Sequence, residues 1–332
     1  MTSILISGGT GTFGRAFARF LLTAEKVKRI IVYSRDEQKQ EEMARDLMAA
    51  DPEERLRYML GDVRDEHRLR AAMRGIDVVV HAAALKIVPK CEYDPIEAVR
   101  TNVTGAENVI RASIAADVAK VIALSTDKAV SPVNLYGATK LTAERLFIAA
   151  NHLSGSPGNH NATRFSVVRY GNVAGSRGSV IPLFKRLAAE GKPLPITHPE
   201  MTRFWITIGD AVQFVVRCLD DMTGGEVFIP RMPSFRIVDL ADAIAPDPGY
   251  TLDMVPIVFD RKIVGMRVGE KIHETLITTH DTPFLVSDRG RDRFMIMPEW
   301  STIARRELSD FTYSSDENED WLSVDELRRL TT

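Results

Sequence analysis

The segment from Thr2 to Leu22 reads TSILIS, then GGTGTFG, then RAFARFLL. An apolar run, a glycine-rich turn and an amphipathic stretch follow in the order strand, tight turn, helix. Gly8 permits the turn, Gly11 lets the backbone approach an anion, and Gly14 lets the helix pack closely. Thr10, Thr12 and Phe13 fill the loop between them. A glycine triplet alone is a weak signal, but this one has the strand before it and the helix after it that a pyrophosphate loop requires. The helix start would offer the anion free N–H groups and a favourable dipole.

Working outward, KRIIVYS reads as a second strand ending at Ser34. At that position an acidic residue suits the ribose of NAD, and a cation suits the extra phosphate of NADP. Ser34 and Arg35 occupy the tip and Lys39 follows one turn on, which favours NADP; Asp36 keeps NAD open. A third strand should end at Gly61, with Asp62 and Val63 beside the adenine. DVVVHAAA reads as a fourth, with Ala82, Ala83 and Ala84 leaving room for a dinucleotide. Strands alternating with helices predict an α/β fold: a Rossmann-type doubly wound parallel sheet with the ligand across the carboxyl ends of its strands.

The run VAKVIALS then delivers STDKAVSPVNLYGATK, Ser125 to Lys140, to that same edge. Tyr136 and Lys140 are four residues apart, so on a helix they share a face. A tyrosine titrates near ~10, and a neighbouring cation lowers that value towards use as a proton acceptor.

These segments, with AAALKIVP, SVVRYGNVAGSRGSVIPLF, TRFWIT, RVGEKIHETLI and FTYSSDENEDWL, resemble the extended short-chain dehydrogenase/reductase family. Within it the chain is most similar to the UDP-N-acetylglucosamine 4,6-dehydratases of the inverting, C5-epimerising type that serves pseudaminic acid biosynthesis. Membrane-anchored relatives carry Met where this chain has Tyr136. The resemblance implies NADP as cofactor, held by the glycine loop, Ser34, Arg35, Lys39, Asp62, Val63, Ala82, Ala83, Ala84, Lys86, Asn102, Tyr136 and Lys140. It implies UDP-N-acetylglucosamine as substrate, with contacts from Lys86, Asn172, Arg203, Arg267 and Glu270; Arg203 could equally pair within its own lobe.

A 4,6-dehydration oxidises the C4 hydroxyl, removes the C5 hydrogen, expels the C6 hydroxyl and returns the hydride to C6. Tyr136 fits the first base, with Lys140 tuning it, and Thr126 can bond the C4 oxygen. Asp127 and Lys128 fit the second acid–base pair, in an order the sequence leaves open. Deoxythymidine-diphosphate-glucose dehydratases have Glu where Lys128 stands, which points to C5 inversion. A retaining dehydratase and a nucleotide-sugar 4-epimerase or reductase are the alternatives; the last two would not need Asp127 with Lys128.

Composition agrees with such an enzyme. The 332 residues can hold two lobes, and a net charge of −2 implies no general affinity for nucleic acid or membrane. No apolar run approaches the ~20 residues of a spanning helix, the N-terminus opens directly in a strand, and a cytoplasmic location is expected. Cys91 and Cys218, the two cysteines, read as reduced fillers. No metal-ligand spacing is present, and His81 and His273 read as structural.

Residues 1–172 are expected to form the NADP domain, with 205–230 returning to it. Residues 173–204 and 231–332 are expected to form a smaller α/β substrate lobe, with SRGSVIP as a ligand-facing loop. NHLSGSPGNHNATR is expected to be a mobile loop, and the acidic SSDENEDW a solvated surface. Helices at Pro95–Ala115 and Tyr136–Ala150 resemble the family's intersubunit bundle, implying a homo-oligomer, either a dimer or a hexamer.

Overall fold

The structure, a computed structural model, describes residues 2–155, 159, 161–176, 178–245, 261–302 and 310–331. Parts of two expected loops, residues 156–158 and 160 and Arg177, lie outside them. The first half alternates as the sequence predicts. β1 (Thr2–Ser7), α1 (Thr12–Leu22), β2 (Val27–Ser34), α2 (Glu37–Leu47), β3 (Leu56–Leu60), α3 (Glu66–Ala72) and β4 (Val78–His81) lead into α4 (Val88–Tyr93) and α5 (Pro95–Val99). α5 continues through a π turn, Arg100–Thr104, into α6 (Gly105–Ala115); β5 (Lys120–Thr126), α7 (Leu135–Ser154) and β6 (Arg164–Tyr170) follow.

β1 is buried from Ser3 to Ser7 because helices cover both sheet faces, which is why it is continuously apolar rather than alternating. It pairs in parallel with β2 on one side and β4 on the other. α1 lays Phe13, Phe17 and Leu21, spaced one turn apart, into the core. Strand order therefore reverses at β1, and the crevice beyond the strand ends between β1 and β4 is where such sheets take ligands.

The chain then leaves the sheet and returns twice. It forms β7 (Asn172–Val173), α8 (Val180–Ala189), β8 (Leu194–Ile196), β9 (Thr202–Ile206), α9 (Ile208–Asp221), β10 (Val227–Pro230), β11 (Ser234–Arg236) and α10 (Ile237–Ile244). After it come β12 (Arg261–Ile263), β13 (Thr275–Ile277), β14 (Leu285–Asp288), β15 (Arg293–Ile296), β16 (Tyr313–Ser314) and α11 (Val324–Thr331). β10 joins β6 in parallel. Among the described residues the large sheet has nine strands, ordered β14-β15-β10-β6-β5-β4-β1-β2-β3.

The last two of its strands differ from the sequence division, which put everything beyond residue 230 in the outer lobe. β14 and β15 form an antiparallel hairpin that pairs with β10. An unpaired β10 would be an open sheet edge; the hairpin covers it and buries Arg293 against Asp221 at 2.8 Å and Asp288 at 3.4 Å. SSDENEDW differs too. Ser315 is fully buried, and Asn318 donates to the Met232 carbonyl at 2.7 Å, so this acidic stretch is a clasp on β11 as well as a surface. The outer lobe has its own core, with Trp205 and Phe235 edge to face at 5.4 Å and Phe184, Leu240 and Leu327 around them.

Candidate active site

The glycine turn is built by contact. Gly8 has φ +68°, and a Cβ there would lie 2.8 Å from Ala83 backbone atoms, so the turn rests directly on the Ala82–Ala84 loop. A Cβ on Gly14 would lie 2.4 Å from the Gly9 carbonyl oxygen. Gly14 thus lets the helix start pack closely on the turn beneath it. Around Gly11 the nearest such atom is the Gly8 carbonyl oxygen at 3.1 Å. Gly11 caps α1 without a side-chain bond to the helix N–H groups. That cradle, which a side chain would fill, fits the pyrophosphate of a dinucleotide.

The nucleoside end is polar and charged. Ser34 is buried, its hydroxyl accepting from Gln40 at 3.0 Å. Asp36 caps α2 by accepting from the Lys39 N–H at 3.0 Å and also pairs with the Lys39 ammonium. Arg35 is the exposed cation at the tip, 3.4 Å from Asp62. Burial works against ionisation of Asp62, but its bonds from Arg64 outweigh that and hold the carboxyl below its ordinary range.

Four expected contacts make bonds or packing of their own within the protein. Thr10 is buried, and its carbonyl accepts from Arg15 at 3.4 Å. Phe13 stacks on Phe17 in the core, and Val63 is buried with its carbonyl accepting from Asn108 at 3.0 Å. Asn102, inside the π turn, receives the Leu85 N–H at 2.8 Å and donates to the Leu85 carbonyl at 2.9 Å and Thr139 at 3.0 Å. It is therefore a residue that positions the loop after β4, not one with its amide free for a cofactor.

The chemical groups meet where β5 ends. Thr126 Oγ1 donates to Asp127 Oδ1 at 2.8 Å. Lys128 Nζ lies 3.1 Å from Asp127 Oδ1 and 3.0 Å from Glu274 Oε1. Burial opposes its charge, yet the two carboxylates outweigh burial and raise its pKa, so Lys128 is an ammonium. Tyr136 is buried beside Thr126. Burial pushes its pKa up to about 12, with Lys128 lowering it and Asp127 raising it.

That differs from the sequence expectation in one respect. Lys140 donates to the Leu124 carbonyl at 2.7 Å, and the cation that acts on the phenol is Lys128. Burial drives Lys140 down to about 8, against the pull of Glu144 one turn further on. Glu144 itself forks with buried Arg169, at 3.1 and 2.7 Å.

Glu274 was missed by the sequence reading, which took Arg267 and Glu270 from RVGEKIHETLI. Those two are the more exposed, 3.7 Å apart. Glu274 is 2% exposed. The available signal was a charged residue placed directly before the apolar TLI. Arg203 donates to the carbonyls of Ile272 at 2.9 Å and Lys271 at 3.0 Å and lies 3.7 Å from Glu274, so it pairs within its lobe. Lys86 opens towards solvent after β4, and desolvation and the Lys128 ammonium lower its pKa. Asn172 Oδ1 is buried with no hydrogen-bond partner among the described residues. His81, at 2.7 Å from the Ser7 hydroxyl, is buried, and His273 bonds Thr202 at 2.8 Å. Cys91 is buried against the Leu85 carbonyl at 3.7 Å, and burial raises its thiol pKa. No cluster able to hold a metal ion occurs among the described residues, and no described helix is long and apolar enough to cross a membrane.

The family described as polysaccharide biosynthesis protein matches residues 4–290. The chain is 47% identical to an inverting UDP-N-acetylglucosamine 4,6-dehydratase of Campylobacter jejuni, over 99% of its own length and 96% of that protein. It is 43% identical to a UDP-glucose 4-epimerase of Rickettsia canadensis, over 84% of this chain and 78% of that one. Among solved structures it is similar to Pen from Bacillus thuringiensis, with a TM-score of 0.87 and 37% identity over 99% of this chain and 97% of that one.

Proposed function

Since the chain belongs to the polysaccharide biosynthesis protein family, we propose that it is an inverting UDP-N-acetylglucosamine 4,6-dehydratase. Its product is then UDP-2-acetamido-2,6-dideoxy-β-L-arabino-hexos-4-ulose, on the route to pseudaminic acid. The observation that carries this reading is the meeting of Thr126, Asp127, Lys128 and Tyr136 at one strand end.

When bound, the dinucleotide supplies the hydride acceptor and donor, so no co-substrate is consumed. Tyr136 takes the proton of the C4 hydroxyl, and Thr126 orients that oxygen. The resulting ketone acidifies C5. Asp127 has Oδ2 unpartnered among the described residues and takes the C5 proton. Lys128, already an ammonium, protonates the departing C6 hydroxyl, which leaves as water. Lys140 holds the nicotinamide ribose. Tyr136, protonated when the C4 hydroxyl was oxidised, returns a proton to C5 from the face opposite Asp127 as C6 receives the hydride back, and C5 is inverted.

The exposed Arg35, with Asp36 occupied as a cap, supports NADP over NAD. Arg35→Asp should weaken NADP much more than NAD in a binding titration; equal losses would reject the assignment. The uridine diphosphate lies between the lobes, with Lys86 and Asn172 from the dinucleotide side and Arg267 and Glu270 from the outer lobe. Tyr93, Ile96 and Val99 are exposed on α4 and α5, which supports a homo-oligomer through that face.

The epimerase reading draws on the Rickettsia relative. It needs Tyr136 and a hydride acceptor but no group at C5. Incubation with UDP-N-acetylglucosamine in deuterated water, followed by NMR, separates the two. A 4-ketone carrying deuterium at an inverted C5 is expected; a C4 epimer with C5 unlabelled would replace the dehydratase reading.

A further inference from the structure

We propose that Glu274 is a positioning residue for the elimination step: with Asp127 it clamps the Lys128 ammonium from the opposite wall of the cleft. This rests on the dehydratase reading. The two carboxylates reach one nitrogen from separate parts of the chain, Asp127 directly after β5 and Glu274 directly before β13, at 3.1 and 3.0 Å. An ammonium has three N–H groups, so the clamp leaves one to donate. The clamp also decides where that donor sits, since a lysine side chain has a flexible four-carbon stem and no fixed fork.

Glu274 is itself held in place. Its N–H donates to Ser315 Oγ at 3.0 Å, and its carbonyl accepts from the Ser315 N–H at 2.8 Å. Ser315 Oγ bonds Thr202 at 2.7 Å. Two residues on, the Leu276 carbonyl accepts from Arg169 at 2.8 Å. Such anchoring of a buried acid is poorly explained by stability, because a buried ion pair is often no better than an apolar replacement. The second oxygens, Asp127 Oδ2 and Glu274 Oε2, are buried without a hydrogen-bond partner among the described residues. An orphaned oxygen on each carboxylate of the clamp marks polar capacity kept for something other than folding.

The charged neighbours set the consequence. Facing Lys128 and Glu274 are Asp127, Arg203, Lys271, Lys86 and Tyr136, while His273 bonds Thr202 and lies 3.8 Å from Asp316. Three of those neighbours are cations. Without the Glu274 charge the ammonium keeps one carboxylate and loses its proton at lower pH. Oxidation at C4, which uses Tyr136, does not need the clamp.

The test is single-turnover kinetics of NADP-loaded protein with UDP-N-acetylglucosamine across pH. Reduced nicotinamide absorbance reads oxidation, and NMR of the 4-ketone reads elimination. Glu274→Gln should leave oxidation within about threefold, slow elimination 10- to 100-fold at pH 8, and move its alkaline limb at least one unit lower. Glu274→Asp keeps the charge but retracts it, so elimination should fall while the alkaline limb stays. Oxidation and elimination falling together, or a Glu274→Gln profile with an unmoved limb, would overturn the proposal. Should Glu274→Gln not fold, Glu274→Asp decides: equal losses in both half-reactions overturn it, and a loss confined to elimination supports it. If wild-type protein neither reduces its nicotinamide nor forms the ketone, the dehydratase reading itself has failed.

Discussion

Tyr136 and His81 show opposite uses of burial. Tyr136, the base of the proposed reaction, has its pKa pushed up to about 12 by burial, and Lys128 is the charge that lowers it back towards phenolate. Tyr136→Phe keeps the ring and removes the titrating oxygen. Turnover should drop at least the ~10²–10⁴-fold typical of a general base, measured by ketone formation at saturating substrate. His81 is held at about 3 by burial, with the Lys140 charge adding to the effect, against 6.5 when free. The folded protein keeps this imidazole neutral, whereas the unfolded chain takes a proton below 6.5. Its contribution is therefore complete above 6.5 and is lost as pH falls towards 3. Urea denaturation should show stability falling by about 2 kcal/mol between pH 7 and 5 from this group. His81→Gln should flatten that limb; an unchanged slope would mean that another group carries it.

At the scale of elements, the glycine turn has no room for a side chain at the start of α1. Gly14→Ala places a methyl 2.4 Å from the Gly9 carbonyl oxygen, so α1 must lift from the turn. The expected loss is about 1–3 kcal/mol, together with weaker dinucleotide binding, read by thermal unfolding with and without NADP. This turn was legible in the sequence because its constraint is local: strand, glycines and helix are contiguous. The same holds for the β5 end, where Thr126, Asp127 and Lys128 are neighbours and Tyr136 follows within the same segment. What was not legible depends on distant pairing. Glu274 lies 146 positions after Lys128, and nothing in HETLI says which strand end it will face. Asn102 resembled a ligand contact because residue type alone cannot tell a free amide from one bonded to Leu85. Lys140 was placed beside the phenol from its spacing, yet the Leu124 carbonyl captures it once β5 and α7 pack. The hairpin β14–β15 was not read from the sequence, and its place on β10 is a question of sheet edges, not of local pattern.

At the scale of the molecule, the exposed Tyr93, Ile96 and Val99 lie on helices that also carry the buried Cys91 and Ala98 behind Tyr136. Subunit contact there would stiffen the wall of the cleft. Ile96→Asp should shift the protein to a smaller species in sedimentation velocity and raise KM more than it alters folding; an unchanged sedimentation coefficient would remove this face as the contact. The sheet has a further consequence, for synthesis. β10 and the hairpin β14–β15 complete an edge begun far upstream, and Ser315 clips Glu274 only once the last residues are made. A ribosome that has just released Thr126 must add the stretch through to Ser315 before the catalytic cleft can close, roughly 10–40 s at ~5–20 residues per second. Within that interval the nascent chain presents β6 as a bare parallel edge until β10 is made, and then β10 as the edge until the hairpin follows. The long return of the chain therefore sets a window in which this protein depends on chaperones, and nascent chains stalled shortly before β10 should be captured by them more than chains stalled beyond β15.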